Sequence, residues 1–291
     1  MSILVDKSTR VICQGITGSQ ASFYIERAIS FGTQMVGGVR PGKGGTSHLG
    51  LPVFDDVSTA MAQTGATASV IFVPKENAAN AIIEAIDAEM PLIICITEHM
   101  PVLDMVKVSE LLKNSRSRLL GPNTPGVITP EQCRIGIMPA EIFKRGNIGI
   151  ISRSSTLTYE AAWQTTDAGL GQSTCVGIGG DPIHGLGFVE CLQMFDEDEE
   201  TRAVVVIGEI GGSEEERASA YLANGNYSKP VLAYIAGQHA PLDTRMGHAS
   251  AIIKSGSGDA VSKKKALSSA GVKVIESPVE IGLCVRKALA E

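Results

Sequence analysis

Arg10-Val11-Ile12-Cys13-Gln14-Gly15-Ile16-Thr17-Gly18-Ser19-Gln20 is the stretch whose reading decides the fold. A short apolar, β-branched run meets a glycine turn, and the turn leads into a pattern with apolar residues at three-and-four spacing over residues 19–31. A strand that turns directly into a helix is the building unit of parallel sheets, because the helix carries the chain back to start the next strand. The unit recurs. Strands are predicted at 10–13, 34–39, 69–73, 92–96 and 118–120, and helices at 19–31, 76–88 and 103–113. Gly32 and Asn114 stand where helices are expected to stop.

From 121 to 146 the pattern lapses into Pro122, Pro125, Pro130 and Pro139 among glycines, which reads as a passage between domains. Alternation then resumes, with strands predicted at 148–152, 174–178, 203–208, 230–235 and 272–275. Helices fall near 157–168, 187–195, 214–223 and 263–270. A chain of 291 residues accommodates two domains with a core each, expected at 1–125 and 126–291. In open α/β sheets ligands gather beyond the carboxyl ends of the strands, so the chemistry is sought in those loops.

Composition narrows the function class. With 44% hydrophobic and 19% charged residues and 32 glycines the chain reads as an ordinary globular α/β protein. A net charge of -6, 4% aromatics and the lack of a basic tail exclude a nucleic-acid binder. The longest apolar runs, at 92–96 and 203–207, are strand-length, far below the ~20 residues that span a bilayer, so no membrane association is expected. Residues 1–7 lack a basic region followed by a long apolar core, and a cytoplasmic location is expected. Cys13, Cys95, Cys133, Cys175, Cys191 and Cys284 include no C-x-x-C pair and have no histidine at metal spacing. They read as reduced, mostly buried small hydrophobes, and no metal site is expected.

The turn after the first strand, with Thr17, Gly18, Ser19 and Gln20, offers free helix N–H groups to an anion. A dinucleotide site would have G-x-G-x-x-G and an acidic residue about 20 positions on; the spacing here is G-x-x-G. The second strand instead runs into Gly37-Gly38-Val39-Arg40-Pro41-Gly42-Lys43-Gly44-Gly45, which puts cations where NAD enzymes have a carboxylate. A ligand with an extra phosphate, coenzyme A or NADP, fits that exchange. The near-match to a P-loop fails, since Gly44 replaces the magnesium-binding hydroxyl and Gly44, Gly45 and Pro52 oppose a helix start. Thr97 and Glu98, ending the fourth strand, lie at the same edge.

In the second half, Arg245-Met246-Gly247-His248-Ala249-Ser250-Ala251 sets an imidazole among residues too small to crowd an approaching group. Glu209, in Gly208-Glu209-Ile210-Gly211-Gly212, is placed to orient that ring: a carboxylate that accepts one ring N–H fixes the tautomer and leaves the other nitrogen nucleophilic. Ser154, Ser155 and Thr156, between a strand end and a helix start, suit both N-capping and phosphate binding. Gly177-Ile178-Gly179-Gly180-Asp181-Pro182 is a further glycine turn suited to close backbone approach.

Gly15-Ile16-Thr17-Gly18, the Gly37–Gly45 run, Gly121-Pro122-Asn123, Ser152-Arg153-Ser154, Gly208-Glu209-Ile210-Gly211-Gly212 and Met246-Gly247-His248-Ala249 together resemble the α subunits of succinyl-CoA synthetases over essentially the whole chain. The resemblance implies a Rossmann-like CoA-binding domain followed by a flavodoxin-like ligase domain. It implies that His248 is phosphorylated, that Glu209 is its partner, and that Thr17 to Gln20, Lys43 and Ile96, Thr97 and Glu98 hold CoA. Tyr159 would lie on the substrate side, and the helix starting near Ser154 would cradle the phosphohistidine. Mg2+ and ATP or GTP would belong to a separate ATP-grasp β subunit, in a heterodimer or heterotetramer. The chain departs from the family's usual residues at Thr124, Ser155, Ser250 and Pro241-Leu242-Asp243-Thr244, which leaves malate or citrate open beside succinate. An NADP-dependent dehydrogenase and a non-catalytic CoA-binding regulator are the readings from other classes.

Overall fold

β1 (Arg10–Gln14) is buried at every position but its first, as a strand must be when parallel neighbours flank it and helices cover both faces. In the computed structural model, which describes residues 2–225, 227–254 and 257–290, it pairs in parallel with β2 (Gln34–Val39) and with β5 (Ala68–Ile71). Beyond β2 lie β4 (Leu51–Phe54) and the two-residue β3 (Ser47–His48), and beyond β5 lie β6 (Leu92–Cys95) and β7 (Arg118–Leu120). Only β3 is antiparallel to its neighbour. The six parallel strands, numbered by sequence, stand in the order 3-2-1-4-5-6 of a Rossmann sheet. Helices α1 (Ser19–Phe31), α2 (Val57–Thr64), α3 (Lys75–Asp87) and α4 (Val102–Lys113) make the crossovers. Gly32 ends α1 at φ 98, a left-handed value that costs glycine little.

This first unit comprises residues 4–138 and 183–186; the second comprises 1–3, 139–182 and 187–291. Met1 and Glu291, the outer limits of the two expected domains, lie outside the described residues. The second unit's sheet contains β10 (Arg145–Ser152), β11 (Gln172–Gly177), β12 (Ala203–Glu209), β13 (Val231–Ala236) and β14 (Lys273–Ile275). They stand in the order β14-β13-β12-β10-β11, all parallel. By sequence number that is 2-1-3-4-5, the flavodoxin-like order. β12 is buried at all seven positions, which is why its sequence is a run of Val and Ile without alternation. α5 (Ser155–Asp167), α6 (Phe188–Glu197), α7 (Glu214–Ala223), α8 (Ala260–Ser269) and α9 (Ile281–Ala288) surround it. Phe195 of α6 is fully buried against β10, where a Cβ on Gly149 would come within 2.7 Å of the ring.

The fold is the expected α/β, Rossmann-like and then flavodoxin-like. Three parts of the sequence reading need correction. β4 and α2 are missing from it: Pro52 and the glycines before it mask a four-residue strand, and α2 has only eight residues. Its start was nonetheless marked, since Asp56 accepts the Thr59 N–H at 2.7 Å. The stretch 121–146 is not merely a passage. It contains the antiparallel hairpin of β8 (Gly126–Thr129) and β9 (Cys133–Gly136). Gly126 and Gly136 serve close approach of its strands, since a Cβ on Gly126 would lie 1.9 Å from the Ile135 carbonyl oxygen. α9 was missed because Pro278 breaks the pattern just before it.

All six cysteines are free, and all but the half-buried Cys284 are buried. Burial pushes the Cys133 thiol up to about 12 and raises those of Cys13 and Cys175 as well, which leaves them unreactive. Among the described residues no helix is long and apolar enough to cross a membrane.

Candidate active site

Strand order reverses between β1 and β5 in the first unit and between β10 and β12 in the second. The loops that leave the carboxyl ends there diverge and open a crevice. In the second unit those loops begin with Arg153 after β10 and at Glu209, the last residue of β12. His248 Nδ1 lies 2.8 Å from Glu209 Oε2. A carboxylate only accepts, so Nδ1 carries the proton and Nε2 keeps its lone pair. The imidazole is 28% exposed, so it is anchored on one side and reachable on the other. Gly180, after β11, lies under the ring: a Cβ there would fall 2.6 Å from the His248 ring atoms. Gly247, at φ 79, provides the turn that delivers the ring.

The electrostatics follow from that geometry. The Glu209 hydrogen bond raises the His248 imidazole above its usual 6.5; burial and the Arg153 charge oppose it, and Asp181 adds to it. Glu209 is itself 7% exposed and tied down from behind. Its backbone N–H donates to Glu215 Oε1 at 3.0 Å, and Glu215 Oε2 pairs with the fully buried Lys263 Nζ at 2.6 Å. Lys263 also donates to the Gly212 carbonyl at 3.0 Å, which pins the loop that follows Glu209.

Ser154 caps α5, its Oγ accepting the Leu157 N–H at 3.3 Å. Ser155 is half-buried and Thr156 exposed in the same first turn, and Tyr159, half-buried, follows in the next. The structure thus brings His248 and Glu209 into contact. It sets Ser154, Ser155 and Thr156 at the neighbouring strand end, at a helix start whose N–H groups favour an anion.

In the first unit, Gly15 stands at φ 86 and close to β5's end, with a Cβ position 2.8 Å from the Phe72 carbonyl oxygen. Its N–H donates to Val39 O, and Gly18 N–H turns back to Gly15 O, each at 2.9 Å. Thr17, Gly18, Ser19 and Gln20 are exposed at the start of α1. Lys43 is exposed in the loop after β2; no helix follows it, so the P-loop match fails as expected. Ile96 and Thr97 are half-buried and Glu98 exposed just beyond β6, with Thr97 Oγ1 donating to Val73 O at 2.7 Å. All these residues lie at the carboxyl edge of one sheet. A flat phosphate-bearing ligand fits a surface where glycines remove side chains and helix N–H groups point outward.

Sequence reasoning gave no role to four residues that the structure places in these loops or, for Lys263, on α8 packed against them. Arg153 contacts Glu209 and Ser250, Ser250 contacts Gly180, and Lys263 supports Glu215. Asp55 accepts the backbone N–H groups of Lys43 and Gly44 at 3.0 and 2.9 Å, and so shapes the Lys43 loop. Only Arg153 carried a readable signal, a cation directly after an apolar strand; the others depend on contacts across long sequence separations.

Residues 6–99 match the CoA binding domain family and residues 151–273 the CoA-ligase family. The succinate–CoA ligase [ADP-forming] subunit alpha of Staphylococcus aureus strain Mu50 is 54% identical over 291 residues, which cover 100% of this chain and 96% of that protein. The same subunit of Staphylococcus epidermidis is 53% identical over 282 residues, 97% and 93% of the two chains. Among solved structures, an ATP citrate lyase of Methanosaeta concilii superposes with a TM-score of 0.91 at 22% identity; the match covers 99% of this chain and spans 50% of that one. These findings do not favour the dehydrogenase reading. Full-length identity of this order, with both domain families matched in sequence order, shows that the chain belongs to the succinate–CoA ligase alpha-subunit family.

Proposed function

We propose that the chain acts as the α subunit of a nucleotide-forming succinate–CoA ligase that works through a phosphohistidine at His248. The enzyme interconverts succinyl-CoA, nucleoside diphosphate and phosphate with succinate, CoA and nucleoside triphosphate. The observation that carries this reading is the 2.8 Å contact of Glu209 Oε2 with His248 Nδ1 on a ring still 28% exposed. Phosphate attacks the thioester carbonyl and CoA leaves as the thiolate, giving acyl phosphate. His248 Nε2 then attacks phosphorus; the N–P bond forms as the P–O bond breaks, and the carboxylate departs. Glu209 holds the Nδ1 proton throughout and stabilises the charge the ring gains. The phosphoryl group passes from Nε2 to the nucleoside diphosphate.

Thr17, Gly18, Ser19, Gln20, Lys43, Ile96, Thr97 and Glu98 are assigned to CoA, with Lys43 facing its 3′-phosphate. Tyr159 is assigned to the substrate side, and the N-terminus of α5 at Ser154, Ser155 and Thr156 to the phosphoryl group on His248. CoA binding belongs to the domain expected at 1–125 and phosphoryl transfer to that at 126–291. Mg2+ and ATP or GTP belong to an ATP-grasp β subunit, in a cytoplasmic heterodimer or heterotetramer. With that partner, Mg2+ and γ-labelled nucleoside triphosphate, the chain takes up acid-labile, base-stable phosphate. His248→Asn abolishes the uptake, and a variant that still labelled would show the phosphoryl acceptor to be another residue.

A further inference from the structure

Arg153 is a charged residue only 3% exposed, and a guanidinium is costly to bury unless it is paired. Its contacts reach three loops of the second unit. Nε lies 3.4 Å from Glu209 Oε1, and Nη2 donates to Ser250 Oγ at 2.6 Å. Ser250 Oγ in turn donates to the Gly180 carbonyl at 2.9 Å, so its single proton and one lone pair are both committed. Gly180 is the residue on which the His248 ring rests. One cation therefore holds the end of β12, the histidine loop and the glycine turn beneath the ring.

Glu209 divides its oxygens: Oε2 takes the Nδ1 proton and Oε1 faces Arg153. The contact to Arg153 is charge pairing without an aligned hydrogen bond, and both Arg153 Nε and Glu209 Oε1 are buried with no hydrogen-bond partner. Without that cation nothing pairs with Oε1, and the carboxylate is free to turn Oε2 away from the ring. The ring would lose the acceptor that fixes its proton on Nδ1. The ring would then hold its proton on Nε2, and the nucleophilic lone pair would be lost.

We propose that Arg153 is a positioning residue for phosphoryl transfer: it holds Glu209 with Oε2 toward the ring and, through Ser250, anchors the histidine loop, so that His248 stays in the Nδ1–H tautomer with Nε2 free. The proposal deepens the phosphohistidine reading and rests on it. Its primary test does not need turnover. In the full-length chain, nitrogen chemical shifts of the His248 ring, assigned by comparison with His248→Asn, report the tautomer at a pH where the ring is neutral.

The wild-type ring shows Nδ1–H, and Arg153→Met moves it toward Nε2–H. With the β partner, Arg153→Met also slows phosphate uptake by roughly 10- to 100-fold, as expected for a lost hydrogen bond between a charged group and its acceptor. Arg153→Lys restores the tautomer through its charge but recovers only part of the rate, because an ammonium cannot span Glu209 and Ser250 together. Arg153→Met with the wild-type tautomer and uptake rate would overturn the proposal. Should Arg153→Met not fold, Arg153→Lys and Ser250→Ala carry the test: slowed uptake with Nδ1–H retained supports it, and wild-type uptake in both overturns it. Label retained by His248→Asn would instead sink the underlying phosphohistidine reading, and the tautomer measurement would stand apart from that failure.

Discussion

At the switch point between β1 and β5 the polar surface consists of backbone and solvated side chains: a glycine turn, the open start of α1, and an exposed Lys43. At the one between β10 and β12 it is made of ionised side chains taken out of water: Arg153 at 3%, Glu209 at 7%, Glu215 and Lys263 at 0% exposure. The two sheets share one architecture and differ in what their loops contain. Holding an intact anion needs only dipoles and a cation in solvent, which cost the fold nothing. Passing a phosphoryl group to a ring nitrogen needs charges fixed before the reaction, and those must be desolvated to be strong. On the proposed phosphohistidine reading the second unit carries that burden, and it should be the fragile one.

Lys263→Met is therefore the most damaging substitution foreseen. It strips Glu215 of its 2.6 Å partner and leaves a carboxylate with no exposure, which costs about 3–5 kcal/mol. Urea unfolding should show a much lower midpoint for this variant, whereas Lys43→Met should fall within about 0.5 kcal/mol of wild type. Equal midpoints for the two lysine variants would break the contrast between the units.

Glu209→Gln comes next. A neutral amide can still accept the Nδ1 proton but does not stabilise the charge on the ring, and the rate of His248 phosphorylation should drop by ~100-fold. The pH profile sharpens the point. Nε2 attacks only when the ring is neutral, so phosphate uptake should rise with pH through a midpoint above 6.5, where the Glu209 hydrogen bond holds it. Because the protonated ring is the better-bound form, the corresponding stabilisation is present below 6.5 and lost as pH rises through the raised midpoint. Glu209→Gln should move the midpoint down. A midpoint that stays in place would mean that Glu209 is not the group controlling the ring.

The contrast also explains what was legible in the sequence. Strand and helix positions came through because burial on both faces writes itself as runs such as Ala203–Glu209, and caps such as Gly32 mark the ends. His248 and Glu209 were legible because small neighbours and a strand end are local signals. Strand order was not, since it depends on which strands pair. The supports of Glu209 were hidden for a similar reason: Arg153 meets Ser250 across 97 residues, and Lys263 meets Glu215 across 48. In the reverse sense, Gly126 and Gly136 looked like loop glycines but are required where two strands crowd each other.

Lys43→Ala is the mildest test, and it addresses the first unit directly. The Lys43 and Gly44 N–H groups are already taken by Asp55, so what this loop offers a ligand at Lys43 is the ammonium alone. An exposed ammonium facing a phosphate is screened by water and salt, so its loss should weaken CoA binding only roughly fivefold at low ionic strength, and less in 1 M salt. Dephospho-CoA, which lacks the 3′-phosphate, should bind the wild type and Lys43→Ala alike. Isothermal titration with both ligands separates the alternatives. If Lys43→Ala weakened both equally, Lys43 would be shaping the loop through its stem rather than meeting a phosphate. If the loss persisted undiminished at high salt, the contact would be desolvated, and the first unit would rely on buried charge just as the second does.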